Sequence, residues 1–459
     1  MAQTITLDYD EADRRTKVTL ANGITMTYGY DNASRLTSIS YKRADQSVIG
    51  DLVYGYDKAG RRTSVSGSLA NTQLPSDVTT ATHNANNQLT AWGGAGAPSI
   101  SYDANGNLTR DGSHAYLWNS RNQLTEIRQG TVTGPLVASY GYDPAGRRIS
   151  RTVGSTVTGF LHDGWNVVQE LNAASANAGK TNYKANVLNG LALDERYLRA
   201  VAPNGSDSNL PRNPANPSAT APLLTSLLTD ALGSTLMVTK ADQVVQASFG
   251  YEPFGRTTQT TPAGQPVSDI PYQYTGRENE AASATGNQAT APLASLYYYR
   301  NRFYSVALQR FVSEDPIDLA GGSNFYTYVG GAPAFKIDPL GLLDSSPGAI
   351  GNSLDPAVEL IKVVFPDHQN IDIPLRAVEA PLSEEMKCQA KCNLIAGQAC
   401  KGAVRAPGGF WGKGAAYVGC NAGIYLACKK ACKPADPCEP AAKERVPALP
   451  EFGYFPDDR

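Results

Sequence analysis

A motif of alternating tyrosines, an aspartate and an arginine recurs along the first third of the chain and limits the fold more than any other feature. YGYDNASRLTSI begins at Tyr28, YGYDKAGRRTSV at Tyr54 and YGYDPAGRRISR at Tyr140. Weaker copies begin at Tyr9 (YDEADRR), Tyr102 (YDANGNLTRDG) and Tyr116 (YLWNSRNQLTEI). Such self-similarity marks a repeat architecture. Each copy reads as strand, turn, strand. Alternating tyrosines suit one face of a strand. The aspartate caps local amides, and a following glycine tolerates positive φ. The arginine opens the return strand. The 26 residues from Tyr30 to Tyr56 fit two strands and their turns. The 24 tyrosines then have a cause, since tyrosine packs its ring and keeps its hydroxyl solvated. These tyrosines, aspartates and arginines read as scaffold rather than as ligands or catalysts. A run of hairpins without helical periodicity makes a long sheet whose edges must be hidden, and stacking repeats into a spiral hides them.

At 459 residues the chain suggests two or three domains of about 150 residues each. Lys+Arg (40) and Asp+Glu (42) nearly balance, which excludes a basic nucleic-acid footprint over the whole chain. With 4 histidines, a His-rich metalloenzyme is a poor reading, and neither a metal nor a cofactor is expected. No segment approaches the roughly 18 apolar residues of a membrane span. The start, MAQTITLDYDEADRR, carries acids where a classical signal peptide needs a basic and then an apolar stretch. It also begins inside a repeat, so a fragment of a longer protein is expected. The stretches 171–222, 261–271 and 278–292 read as loops from their composition.

The repeats resemble the YD repeats of Rhs proteins. The stretch LYYYRNRFYSVALQRFVSEDPIDLAGGSNFYTYVGGAPAFKIDPLGL, from Leu296 to Leu342, resembles the Rhs repeat-associated core domain. That family pattern runs YYRARYYD, GRF, SxDPxG, GGxNxYxYV and DPxGL. Upstream, TDALGST at Thr229, YEPFGR at Tyr251 and YQYTGRE at Tyr272 also fit. Ser305 and Val306 depart from it, standing where the family has Asp-Pro, as does the Gly331–Ala332 pair. The resemblance implies a mainly β fold: a YD-repeat hairpin spiral, part of a hollow shell, over 1–295, plugged by an autoproteolytic core at 296–342. It further implies a variable tail at 343–459 and a missing N-terminal shell.

The same resemblance implies that the core cuts the chain after DPxGL, between Leu342 and Leu343. Peptide hydrolysis by an acid pair needs one ionised and one protonated carboxyl, and two neighbouring carboxyls achieve this because both cannot ionise cheaply. The matching residues are Asp315 and Asp338, each followed by a proline that stiffens its corner. Arg302 matches a supporting arginine, with Arg300 and Arg310 as close competitors. Gly341 lets the backbone approach the site. From the residues alone, both aspartates read equally well as turn caps.

All 7 cysteines lie between Cys388 and Cys438. The first six form a palindrome with gaps of 4, 8, 20, 8 and 4. On helices, residues four apart share a face. Two antiparallel helices, about 386–402 and 416–433, would set Cys388 opposite Cys432, Cys392 opposite Cys428 and Cys400 opposite Cys420. The expectation is a small Cys-rich α-helical hairpin stapled by three disulfides, with Cys438 left over. Zinc or copper binding and reduced thiols are the rival readings. Disulfides point to an oxidising compartment. From Met386 to Lys433 there are 8 basic residues and no acid. An anionic membrane is therefore a candidate target for the tail, with nucleic acid the weaker one. His368, the one histidine of the tail, reads as a surface residue.

The functional expectation is an Rhs-type polymorphic toxin whose shell encloses an effector and frees it by self-cleavage, for use against competing bacteria or a host. Implied partners are an immunity protein and a delivery apparatus, and the expected location is secreted or cell-surface. The alternatives are a cell-surface YD-repeat protein for adhesion or carbohydrate binding and an inactive, displaced gene end.

Overall fold

The computed structural model describes residues 4–345 except 71–72, 76, 95–99, 173–182, 202–222, 266, 284–292 and 294–295. The cysteine-rich hairpin, its disulfides and His368 lie outside the described residues. Among the described residues, no helix is long and apolar enough to cross a membrane.

The repeats fold as antiparallel meanders. A six-stranded sheet runs in chain order from Thr6–Tyr9 to Arg62–Ser66, and a fourteen-stranded sheet runs likewise from Ser101–Tyr102 to Thr257–Thr260. The hairpin Thr80–His83/Leu89–Gly93 lies between them in sequence. Every strand pairs with its chain neighbour, because each repeat is itself a hairpin.

The turn chemistry is the same at each strong repeat. At Asp31 the backbone N–H donates to Arg35 O at 3.0 Å, and Ser34 N–H donates back to Asp31 O at 2.9 Å. Asp31 Oδ1 accepts the amides of Ala33 and Arg35, each at 2.9 Å, and its Oδ2 accepts Arg35 Nε at 2.7 Å. Asp10–Arg14, Asp57–Arg61 and Asp143–Arg147 repeat the carboxylate–guanidinium clasp. The residue before each arginine takes positive φ: Asp13 (57°), Ser34 (60°), Gly60 (80°) and Gly146 (86°). Arginine is thus the aspartate's partner as well as the start of the return strand.

The tyrosines differ from the expectation of solvated hydroxyls. The first of each pair is buried, with Tyr28, Tyr54 and Tyr140 at 4–6% exposure. The second donates its hydroxyl to a backbone carbonyl of the preceding hairpin: Tyr30 to Arg15 O (2.8 Å), Tyr56 to Leu36 O (2.7 Å), Tyr142 to Leu124 O (2.7 Å) and Tyr251 to Thr235 O (2.6 Å). Burial of a hydroxyl favours pairing it with an acceptor, and for the second tyrosine the neighbouring repeat supplies one.

Two stretches read as loops contain ordered structure. Within 171–222 lie the paired strands Tyr183–Asn189 and Arg196–Val201. Within 278–292, Glu278–Asn279 is a strand and Glu280–Ser283 a 3-10 turn. Composition misleads here because the polar residues are buried in ion pairs. Arg199 meets Glu170 and Asp269, while Arg148 meets Glu278 and Glu280.

Residues 296–342 are built around the hairpin Leu296–Tyr299/Arg302–Ser305, which joins Glu278–Asn279 and Arg310–Phe311 in a four-stranded sheet. One face of it packs Leu296, Tyr298 and Phe303 against Leu108, Tyr116, Leu124 and Tyr140 of the fourteen-stranded sheet. The other face is an aromatic cluster of Tyr274, Tyr297, Tyr299, Tyr304, Phe311 and Tyr328. The six-stranded sheet buries Ile39, Tyr41 and Leu52 against Tyr197, Leu228 and Met237.

Candidate active site

Arg302 begins the second strand of the central hairpin, and that placement aims it at the DPxGL segment. Its Nη2 lies 2.8 Å from Asp315 Oδ2 and 3.5 Å from Asp338 Oδ2. Nε donates to Gly341 O at 2.6 Å, Nη1 donates to Phe325 O at 2.9 Å, and the guanidinium stacks 3.7 Å from the Phe311 ring centroid. Arg302, Asp315 and Asp338 are each at most 4% exposed.

The two aspartates are held differently. Asp315 Oδ1 accepts Ile317 N–H at 3.1 Å, the local turn bond of an Asp-Pro corner. Asp338 Oδ1 accepts Leu342 N–H at 2.9 Å. Gly341 has φ +67°, and a Cβ there would fall on Tyr299 O. Leu342 is buried and packs with Leu340 against Trp165, Leu193 and Ile317. Gly321 brings Asp315 and the Leu342 carbonyl together: a Cβ on Gly321 would strike the Asp315 carboxylate and lie 3.1 Å from Leu342 O. Asp338 thus grips the residue that precedes the Leu342–Leu343 bond, while Asp315 and the Leu342 carbonyl both border Gly321. A cavity of about 330 Å³ is lined in part by Asn107, Asn122, Gln123, Arg302, Glu314 and Asp315.

Burial pushes both carboxyls up to about 6, against the pull of the Arg302 charge. Near neutral pH such a pair holds one carboxyl ionised and one protonated in part of the population, the state that general acid–base hydrolysis requires.

The competing arginines go elsewhere. Arg310 donates to Asn87 O at 3.0 Å and meets His83 Nε2 at 2.8 Å. Arg300 pairs with Asp194. The role of Asp194 was not visible in the sequence, where LALDERY carries no motif. Among the described residues, no cluster of His, Cys, Asp and Glu has the spacing to hold a metal ion.

Hairpin meanders closed by one repeated aspartate–arginine turn define a YD-shell protein, and the comparisons with known proteins agree. The Teneurin YD-shell family model matches residues 3–161. The chain is 29% identical over 272 residues to the tRNA3(Ser)-specific nuclease WapA of Bacillus spizizenii, covering 58% of this chain and 10% of that protein. It is 26% identical over 260 residues to the double-stranded DNA deaminase toxin A of Burkholderia cenocepacia, covering 53% of this chain and 17% of that protein. The Photorhabdus luminescens Tc holotoxin pore structure matches with a TM-score of 0.50 at 17% identity, over 76% of this chain and 20% of that one, a likeness of fold. The chain is an Rhs/YD-repeat protein. It spans less than a fifth of the length of these curated relatives.

Proposed function

We propose that this chain is the shell and self-cleaving core of a polymorphic toxin, cutting itself between Leu342 and Leu343 to free the segment 343–459 as an effector. One observation carries the reading: buried Arg302 bridges Asp315 and Asp338 while Asp338 holds the Leu342 amide. The ionised carboxyl takes a proton from water as the water oxygen bonds to the Leu342 carbonyl carbon. The protonated carboxyl gives its proton to the Leu343 nitrogen as the C–N bond breaks. Water is consumed, and a carboxylic acid and an amine result. Arg302 fixes both carboxyls and, through Gly341 O, the strand that is cut.

The division is a shell fragment over 1–295, a core over 296–342 and a cargo over 343–459. The relatives named as a tRNA nuclease and a DNA deaminase toxin support a toxic cargo. The Tc holotoxin likeness supports a shell that works with delivery partners and reaches target cells. A protective immunity protein follows from self-intoxication. The stapled, basic cargo is assigned to an oxidising compartment and an anionic membrane. The alternative reading is a cell-surface YD-repeat protein for adhesion or carbohydrate binding. Intact mass tests the cleavage: two species from the wild type and one from Asp338→Asn are expected, and a single species from both overturns it. Expression of 343–459 in cytosol and periplasm tests the cargo, and normal growth in both favours the adhesion reading.

A further inference from the structure

Arg300 and Asp194 lie outside the carboxyl pair yet grip the same strand. Arg300 Nη1 donates to the Pro339 carbonyl, one residue beyond Asp338. The guanidinium makes a two-pronged pair with Asp194, Nη1 to Oδ2 and Nη2 to Oδ1, each at 2.7 Å. Nε and Nη2 also donate to Trp165 O, each at 3.2 Å. Asp194 belongs to the fourteen-stranded sheet, in the turn before Arg196–Val201, and Trp165 to the turn before Asn166–Leu171. Asp194 further receives Arg277 Nη1 at 2.6 Å and Arg196 Nη2 at 3.0 Å. Its backbone N–H donates to Asn166 Oδ1 at 3.1 Å. One carboxylate thus binds three arginines, of which Arg277 also donates to Tyr298 O and Arg196 to Gly276 O.

Both residues sit in hairpin turns at positive φ. Arg300 has φ +59° and Asp194 φ +64°, a region that costs a non-glycine residue free energy. Such strain persists where surrounding contacts over-determine it, and here each side chain makes at least four hydrogen bonds to three partners.

We propose that Asp194 and Arg300 are positioning residues of the cleavage site, through which docking of the fourteen-stranded sheet onto the core sets the Asp338–Leu342 backbone for cutting. The inference rests on the self-cleavage reading. It makes cutting conditional on an assembled sheet: until the turn at Asp194 meets Arg300, Pro339 O has no anchor and Asp338 is not aimed. A cargo still on an unfinished shell then stays attached.

The test follows cleavage of the full chain during cell-free translation. Asp194→Asn is expected to slow cleavage about 100-fold, the cost of a misplacement of about 1 Å. Arg300→Lys keeps the charge but loses the fork, so an intermediate rate is expected. Hydrogen exchange in an uncleavable Asp315→Asn background separates positioning from general weakening. Adding Asp194→Asn or Arg300→Lys should speed exchange at 340–343 while the sheet amides stay protected. Wild-type cleavage rates in both variants overturn the proposal, as does an even rise in exchange across the core. A wild type that never cleaves sinks the parent reading instead, and the exchange experiment still decides whether the clasp holds the segment.

Discussion

The Leu342 amide donates to Asp338 Oδ1 at 2.9 Å, so one of the two buried carboxyls is hydrogen-bonded to the residue whose carbonyl the proposed cut would hydrolyse. The contact spans four residues, and Gly341 makes it possible by turning through positive φ. The other carboxyl, Asp315, stands 27 residues before Leu342 in the chain, and Gly321 borders both it and the Leu342 carbonyl. In the proposed cut, substrate and catalyst are one chain brought together by folding, and the local geometry matters as much as the carboxyl chemistry.

Removal of either carboxyl should stop the cut. Asp315→Asn and Asp338→Asn are each expected to lower the cleavage rate by about 10²-fold or more, the usual loss for a general acid or base. Intact mass against time checks this. Arg302→Lys should be slow as well, because a lysine cannot span two carboxyls, Gly341 O and Phe325 O together.

Cleavage should depend on pH through the same pair. Both carboxyls are raised to about 6, so the singly protonated state dominates around that pH. The rate is expected to peak near pH 6 and to fall by roughly tenfold for each unit well beyond the two limbs. A rate flat from pH 4 to 9 contradicts this.

Folding stability should respond to pH with two opposite signs. Asp315 and Asp338 have folded values above the ordinary 3.8, so their contribution is present below about pH 4 and is lost as pH rises through 6. Glu170, held down to about 2 chiefly by Arg199 against the cost of burial, contributes above pH 4.5, and this is lost as pH falls toward 2. Asp194 and Glu278 are depressed in the same direction by their arginines. The melting temperature of an uncleavable variant should therefore fall on both sides of about pH 5. Replacing both aspartates by asparagine should flatten only the alkaline limb.

Gly341→Ala should break the site without unfolding the sheets. An alanine at φ +67° costs about 1–2 kcal/mol, and its methyl would collide with Tyr299 O. The expected result is uncut protein with the far-ultraviolet dichroism of the wild type, read by mass and spectroscopy together.

Tyr251→Phe tests the mortar between repeats. It removes a hydroxyl that donates to Thr235 O at 2.6 Å and leaves that carbonyl one partner short. A loss of about 1 kcal/mol in denaturant unfolding is expected. No change would mean that ring packing alone holds neighbouring hairpins.

Much of the fold is legible in the sequence because it is local. The aspartate, the residue of positive φ and the arginine of each YD turn lie within five residues, so a short string specifies a whole hairpin. Two such hairpins in succession specify a meander. The identity of Asp315, Asp338 and the Leu342–Leu343 bond as one group came from a resemblance, since each Asp-Pro alone reads as a turn cap. What tertiary structure decided was which arginine serves the pair. In the string Arg300 and Arg310 compete closely with Arg302, which only the resemblance favours, and strand register sends Arg302 to the carboxyls, Arg300 to Asp194 and Arg310 to His83. It also decided that polar stretches such as Glu278–Glu280 lie in the core, because the arginine that neutralises them, Arg148, is 130 residues away. Local chemistry acts over a few bonds and can be read in order along the chain. Charge pairing acts through space, and it becomes visible only when the sheets have been laid against one another.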